Sequence, residues 1–255
     1  MGETFDPQKF QFALRRVPWV RDVHAERVVS STNDVALELA GGGAAEGTVV
    51  VADHQTAGRG RLGRGWWSQP GGSLIASWVL RPALPPDRWP FLTLVAGVAL
   101  CDALLVVSGV KATLKWPNDV LIGEAKCAGI LAEARPPGAV VIGLGVNVSG
   151  HVPADAAEGA TSIVGAGAEA PRRSDLLAEV LRAFGAFMPN PASVLPRYRE
   201  LSATLGTRVR AQRAGGGSLT GSATDVDEGG ALLIDAGGEI VRVTAGEIIH
   251  LRTYD

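Results

Sequence analysis

A long segment with neither helical nor strand period, residues 58–72, stands between two apolar runs, 48–52 and 73–80, that read as buried strands. A loop of that length inside a compact domain is functional or disordered. Its first half, Gly58-Arg59-Gly60-Arg61-Leu62-Gly63-Arg64-Gly65-Trp66, alternates arginines with glycines that let backbone approach a bound group. The segment also satisfies G-x-G-x-x-G after a strand, but the dinucleotide fingerprint requires its last glycine to open a helix. Here Gly63 leads into Arg64-Gly65-Trp66-Trp67-Ser68-Gln69-Pro70-Gly71-Gly72, which cannot be that helix. A nicotinamide-dependent oxidoreductase is therefore set aside. An anion site, a loop for single-stranded nucleic acid and a merely solvated loop stay open.

The rest of the chain reads as an α+β protein. Ser31, Thr32, Asn33 and Asp34 are suited to capping a helix over 35–40, ahead of the strand at 48–52. Residues 89–105 have helical character, and 113–116 with 120–122 flank the turn Pro117-Asn118-Asp119 as a hairpin. Strands follow at 127–134 and 140–148. After an unassigned stretch, 150–171, Ser174 is placed to cap a helix over 175–188, and a short helix covers 194–201. From Gly206 the texture changes to short strands between glycines, at 208–212, 219–226, 231–235, 239–244 and 248–251, which suggests a small antiparallel barrel. The expected division is residues 1–204, a mixed sheet with helices, and 205–255, the barrel.

Composition narrows the chemistry. A formal net charge of -2 without a basic run leaves no broad electrostatic footprint for nucleic acid. Cys101 and Cys127 have neither zinc nor disulfide spacing, which fits a reducing cytosol. The first residues are acidic and polar, with Asp6 where a myristoylation signal needs Ser or Thr, so no export signal or lipid anchor is expected. The apolar stretch 91–105 is interrupted by Asp102 and falls short of the ~20 residues a bilayer requires. It reads as a buried helix. The chain has 20 arginines but four lysines, Lys9, Lys111, Lys115 and Lys126, so a retained lysine marks a place for a compact, rotatable ammonium.

Two of those lysines fall in or just after a second motif, Lys115-Trp116-Pro117-Asn118-Asp119. A lysine pair on adjacent strands can straddle a phosphate, while Asp119 can hold magnesium or orient a lysine. A structural hairpin with a salt bridge is the competing reading.

The order and spacing of these motifs resemble the biotin protein ligase family. The resemblance rests on Gln55-Thr56-Ala57-Gly58-Arg59-Gly60-Arg61 with Gly63, Arg64 and Trp66, on Lys115-Trp116-Pro117-Asn118-Asp119, on Lys126 with Ala128-Gly129-Ile130-Leu131, and on Gly143-Leu144-Gly145-Val146-Asn147. Ser31-Thr32-Asn33 sits upstream where that family has its serine-threonine-asparagine turn. The likeness is strong over about residues 25–150 and one of texture over the barrel, for which it implies an SH3-like domain.

The resemblance implies ATP-dependent conversion of biotin to biotinyl-5'-adenylate, with Mg2+, and transfer to a lysine of a biotin carboxyl carrier protein or acyl-CoA carboxylase subunit in the cytoplasm. It implies that Ser31, Thr32, Asn33, Gln55, Arg59, Gly60, Arg61, Lys126 and Gly129 meet biotin. Arg61, Arg64, Trp66, Lys115, Asn118 and Asn147 meet ATP, Lys126, Arg61 and Lys115 act in catalysis, and Asp119 is the metal candidate. About 25 residues precede the first motif, too few for a helix-turn-helix domain, so no DNA binding is expected, nor a membrane; a homodimer is compatible. Lipoate ligases are the nearest rival, and a single-stranded RNA module is the non-enzyme one. Cys127, beside Lys126, is the expected point of oxidation sensitivity.

Overall fold

The structure, a computed structural model, describes residues 3–150, 152–153, 159–213, 217–244 and 246–250. Parts of three expectations, namely the N-terminal pair, the 150–171 segment (151 and 154–158) and the last strand with the chain end (251–255), lie outside the described residues. Element order is α1 (Pro7–Leu14), β1 (Asp22–Val29), α2 (Thr32–Gly41), β2 (Thr48–Gln55), β3 (Ser73–Leu80), α3 (Phe91–Ser108), β4 (Thr113–Lys115), β5 (Asp119–Ile122), β6 (Ala125–Arg135), β7 (Ala139–Asn147), α4 (Arg173–Phe187), α5 (Leu195–Leu201), then β8 (Arg208–Arg213), β9 (Ser218–Val226), β10 (Leu232–Asp235), β11 (Ile240–Val243) and β12 (Gly246–His250).

Strands β1 to β7 form one mixed sheet in the order β1-β2-β3-β7-β6-β5-β4, with β1 and β2 parallel through the α2 crossover and the remaining pairs antiparallel. Strands β8 to β12 form a second, antiparallel sheet in the order β11-β10-β9-β8-β12. The α+β class is as expected, with the small C-terminal domain present as this five-stranded sheet.

Period-2 alternation sorts the large sheet into two faces. Leu74, Ala76, Trp78 and Leu80 of β3, with Val140, Ile142, Leu144 and Val146 of β7, join the main core beneath α3 and α4. On the opposite face Val50, Val79, Ala139 and Val141 pack under Ala36 and Ala40 of α2. That smaller cluster covers only one end of its face. The rest of it, toward Gly143, Gly145 and Asn147 on the same alternation, carries the cavity described below.

Several local expectations need correction. Ser31 is the N-cap of α2 but makes no side-chain cap bond, and Thr32, Asn33 and Asp34 lie inside the helix. Thr32 and Asn33 turn their polar groups to neighbouring strands instead, and Asp34 turns its carboxylate to Arg59. Arg172, not Ser174, is the N-cap residue of α4, again without a side-chain cap bond. Helix α3 runs on to Ser108, closed by Gly109 at φ 68°, and with the turn before it is long and apolar enough by composition to cross a membrane. It lies instead in the core, and its Asp102 is bound by Arg197 at 2.8 and 3.0 Å. Burial of about 1.5–3 kcal/mol per large apolar side chain favours that place. Elements α1 and β1 have no counterpart in the sequence reading. Asp6 caps α1 through the Gln8 amide, with Pro7 at its start, and this Asp-Pro pair is the local signal for the helix.

Candidate active site

The arginine-glycine segment is a compact, folded-back turn. The amides of Trp66 and Gly60 donate to the carbonyls of Gly58 and Arg64 at 2.9 and 2.7 Å, and Arg59 bridges Gly65. Gly58 is required there, since a Cβ would stand 2.4 Å from the Trp66 carbonyl oxygen. At the tip, Leu62 holds φ 56° and is exposed.

This turn roofs a cavity of about 740 Å³, within the size range of ligand sites. All the candidate residues line it: Ser31, Thr32, Asn33 and Gln55 at one end, Arg59, Gly60, Arg61, Arg64 and Trp66 in the roof, and Lys115, Asn118, Asp119, Lys126, Gly129 and Asn147 along the sheet. Glu124, Trp67 and Ile248, which the sequence reading did not single out, line it too.

The floor is made by glycines because something must lie flat on them. A Cβ on Gly145 would fall 2.3 Å from Trp66 Cε2, and one on Gly129 would fall 3.1 Å from Cζ3. A Cβ on Gly143 would fall 2.0 Å from Asn33 Oδ1. The indole of Trp66 thus rests on β6 and β7 with Nε1 buried and unpartnered among the described residues, and Lys126 Nζ lies 5.8 Å from the ring centroid. The alternation Gly143-x-Gly145-x-Asn147 was a legible period-2 signal for one bare strand face.

At the neutral end, Gln55 Oε1 accepts from the Thr32 amide at 2.7 Å, while Ser77 Oγ lies 2.7 Å from Thr32 Oγ1 and 2.6 Å from Asn33 Oδ1. An amide oxygen only accepts, so the single Ser77 proton goes to Asn33 and the Thr32 hydroxyl donates to Ser77. The Thr32 Oγ1 to Gln55 Oε1 contact of 3.1 Å then carries no proton. Asn33 Nδ2 donates to Glu133 Oε2 at 2.7 Å. Asn33 is thereby committed to the wall.

At the charged end, Lys126 Nζ is 2.6 Å from Asp119 Oδ1, and Arg61 donates to Asn118 Oδ1 at 3.4 Å. Lys115 and Lys126 are not on adjacent strands: β5 lies between β4 and β6, and it carries Asp119, which pairs with Lys115 on one side and Gly129 on the other. Strand order is a long-range property that spacing along the chain does not reveal. The unassigned segment supports this end. Gly159 accepts from the Lys126 amide, Thr161 donates its amide to the Lys126 carbonyl, and the Thr161 carbonyl accepts from Asn147 Nδ2 at 3.1 Å.

Thr204 and residues of the C-terminal domain brace the same end. Trp116 donates its amide to Thr204 Oγ1 at 3.0 Å and its indole N–H to the Gly230 carbonyl at 2.9 Å, and His250 Nε2 is 3.1 Å from Thr204 Oγ1. Burial, then repulsion by Lys115, holds the His250 imidazole below its ordinary pKa of 6.5. Cys127 does not fit its expected role: it is fully buried against the Asn147 carbonyl, and burial pushes its thiol up to about 12. The reactive thiolate is suppressed, so oxidation sensitivity is not expected there.

Among known proteins, the Biotin/lipoate A/B protein ligase family matches residues 25–147 and the Biotin protein ligase C terminal domain matches residues 204–251. A biotin--[acetyl-CoA-carboxylase] ligase of Mycobacterium tuberculosis is 41% identical over 87% of this chain and 86% of its own length. A bifunctional ligase/repressor BirA of Bacillus spizizenii is 36% identical over 88% of this chain and 73% of its own. A biotin protein ligase of Aquifex aeolicus, solved with biotin and ATP, superposes with a TM-score of 0.78 at 29% identity, covering 91% of this chain and all of that one. With family models, relatives and fold in agreement along nearly the whole chain, it belongs to the biotin protein ligase family.

Proposed function

We propose that the chain activates biotin with ATP to biotinyl-5'-adenylate and pyrophosphate, then transfers biotin to one lysine of a biotin carboxyl carrier protein or carboxylase subunit. The observation that carries this reading is the polarity of one cavity. Neutral, mutually oriented hydrogen-bonding groups lie at one end, cations at the other, and an arginine-bearing turn covers both. A fused urea-like ring with a carboxylate tail suits that gradient, and the carboxylate would reach the cations.

Position in the cavity supports a role for each residue. Ser31, Thr32 and Gln55 meet the ring of biotin, Gln55 with the amide nitrogen its bound Oε1 leaves over, while Asn33 shapes that end from the wall. Arg59, Gly60, Arg61 and Gly129 surround the carboxylate tail. Lys126 bridges that carboxylate and the α-phosphate, and Asp119 orients Lys126 until the phosphate takes over the ammonium. Arg64, Lys115, Asn118, Asn147 and the buried Nε1 of Trp66 serve the nucleotide. Both steps need charge neutralisation and positioning and no protein nucleophile. Magnesium bound to ATP needs one or two protein carboxylates. Asp119 alone fits that need, and the described residues hold no cluster of three metal-type side chains. Bound there, magnesium neutralises phosphate charge.

A division near residues 204 and 205 into catalytic and C-terminal domains accompanies the reading, with a cytoplasmic place in which buried, unpaired Cys101 and Cys127 stay reduced. The test is biotin-dependent pyrophosphate release from ATP and Mg2+, beside lipoate and a no-acid control. Release with biotin followed by labelling of a carrier domain supports the proposal. Release only with lipoate moves the chain to the sister activity, and silence with both, together with salt-dependent RNA binding, returns it to a binding module.

A further inference from the structure

Glu133 has no place in the roles above, yet one of its oxygens joins both ends of the biotin site. Oε2 accepts from Asn33 Nδ2 at 2.7 Å and from Arg59 at 2.9 Å, and the same Arg59 nitrogen lies 2.5 Å from Asp34 Oδ1. The Asn33 amide is oriented by this contact, because Ser77 supplies a proton to its Oδ1 and only its nitrogen can face a carboxylate. A chain therefore runs Thr32 to Ser77 to Asn33 to Glu133, and back up to the roof through Arg59.

We propose that Glu133 is a positioning residue coupling the ring end of the biotin site to closure of the arginine turn. The proposal rests on the function given above. Glu133 has two separable arms. Its oxygen, charged or not, orients Asn33 and through Ser77 the Thr32 hydroxyl; its charge, shared with Asp34, holds Arg59 and with it the roof. Gly143 on the facing strand agrees with a fixed Asn33, since any larger residue would collide with that amide. The carboxylate is about a quarter exposed and Arg59 and Asp34 more so, which makes the roof arm a reversible fastening rather than a buried lock.

The two arms predict different variants. Glu133→Gln keeps an acceptor for Asn33 but not the charge for Arg59. It is expected to leave the KM for biotin within about twofold of wild type and to raise release of free biotinyl-adenylate about tenfold, as for loss of one charge-assisted hydrogen bond. Asp34→Asn should do the same. Glu133→Ala loses both arms and should raise the biotin KM, and the Kd for biotin measured calorimetrically without ATP, about tenfold as well, with the KM for ATP unchanged. Thermal unfolding run in parallel identifies a variant that has not folded, for which Glu133→Gln and Asp34→Asn carry the test. The proposal is overturned if folded Glu133→Ala binds biotin and retains adenylate as wild type does, or if the KM values for biotin and ATP rise together. Failure of the parent reading appears separately, as no biotin-dependent pyrophosphate release by the wild-type chain.

Discussion

Gly145→Ala adds one methyl group to the cavity floor and should strike the nucleotide half of the reaction. An ideal Cβ there lies 2.3, 2.6 and 2.7 Å from Cε2, Nε1 and Cζ2 of Trp66, whereas ordinary contact begins at 3.4 Å. Three atoms of one rigid plane are struck at once, so no ring rotation relieves the clash and the indole must retreat by about 1 Å. Displacement on that scale costs on the order of a hundredfold when it moves a group that aligns reactants. Adenylation followed by pyrophosphate release, with ATP varied at saturating biotin, should show kcat/KM lower by about ten- to a hundredfold. Biotin binding in the absence of ATP should change less than threefold, within about 0.7 kcal/mol. Gly143→Ala makes the complementary comparison: its methyl meets Asn33 Oδ1 at 2.0 Å, so its loss should appear in the biotin Kd. Equal effects of the two alanines on both substrates, or a Gly145→Ala enzyme within twofold of wild type toward ATP, would refute the argument that Trp66 is seated by this floor.

Other substitutions test the remaining parts. Lys126→Ala removes the ammonium held 2.6 Å from Asp119 and should cost on the order of a hundredfold in adenylation; activity within threefold of wild type excludes Lys126 from the mechanism. Arg61→Gly opens the roof and should release activated biotin, seen by mass spectrometry as stray labels on a bystander protein. Arg173 is buried at 1% exposure, donates to Asp53 and to the Glu3 carboxylate and carbonyl, and through Asp53 braces the Gly71 amide at the foot of the arginine segment. Arg173→Leu should cost about 3 kcal/mol and lower Tm by roughly 6–12 °C, and an unchanged Tm would show the network to be dispensable. His250 titrates below 6.5 in the folded chain, so the unfolded chain binds more protons in the window beneath that value, and stability should fall as pH drops through it and be flat above. Urea midpoints at pH 5 and 7.5 should therefore separate more in wild type than in His250→Gln; identical pH dependence would exclude the His250 contribution.

Local chemistry made much of this protein legible from its residues. β-Branched runs, glycine turns and the apolar stretch of α3 announce elements because backbone propensity and burial period act within a few residues. The arginine-glycine turn and the Lys115-Trp116-Pro117-Asn118-Asp119 hairpin announce an anion site for the same reason. Alternation along Gly143-Leu144-Gly145-Val146-Asn147 separates core from cavity at a glance once a strand is assumed. Strand β1 is not legible in the sequence, because Asp-Val-His-Ala-Glu-Arg-Val-Val shows no clean alternation, and its pairing with β2 through the α2 crossover supplies what propensity lacks. Only the folded chain puts Asp119 between two lysines two strands apart and lays Trp66 on bare glycines. Only there does Thr161 hold Asn147, and does Glu133 meet an asparagine 100 residues away. Those contacts are made by partners far apart in the sequence, and strand order and side-chain direction, which no local pattern encodes, decide them.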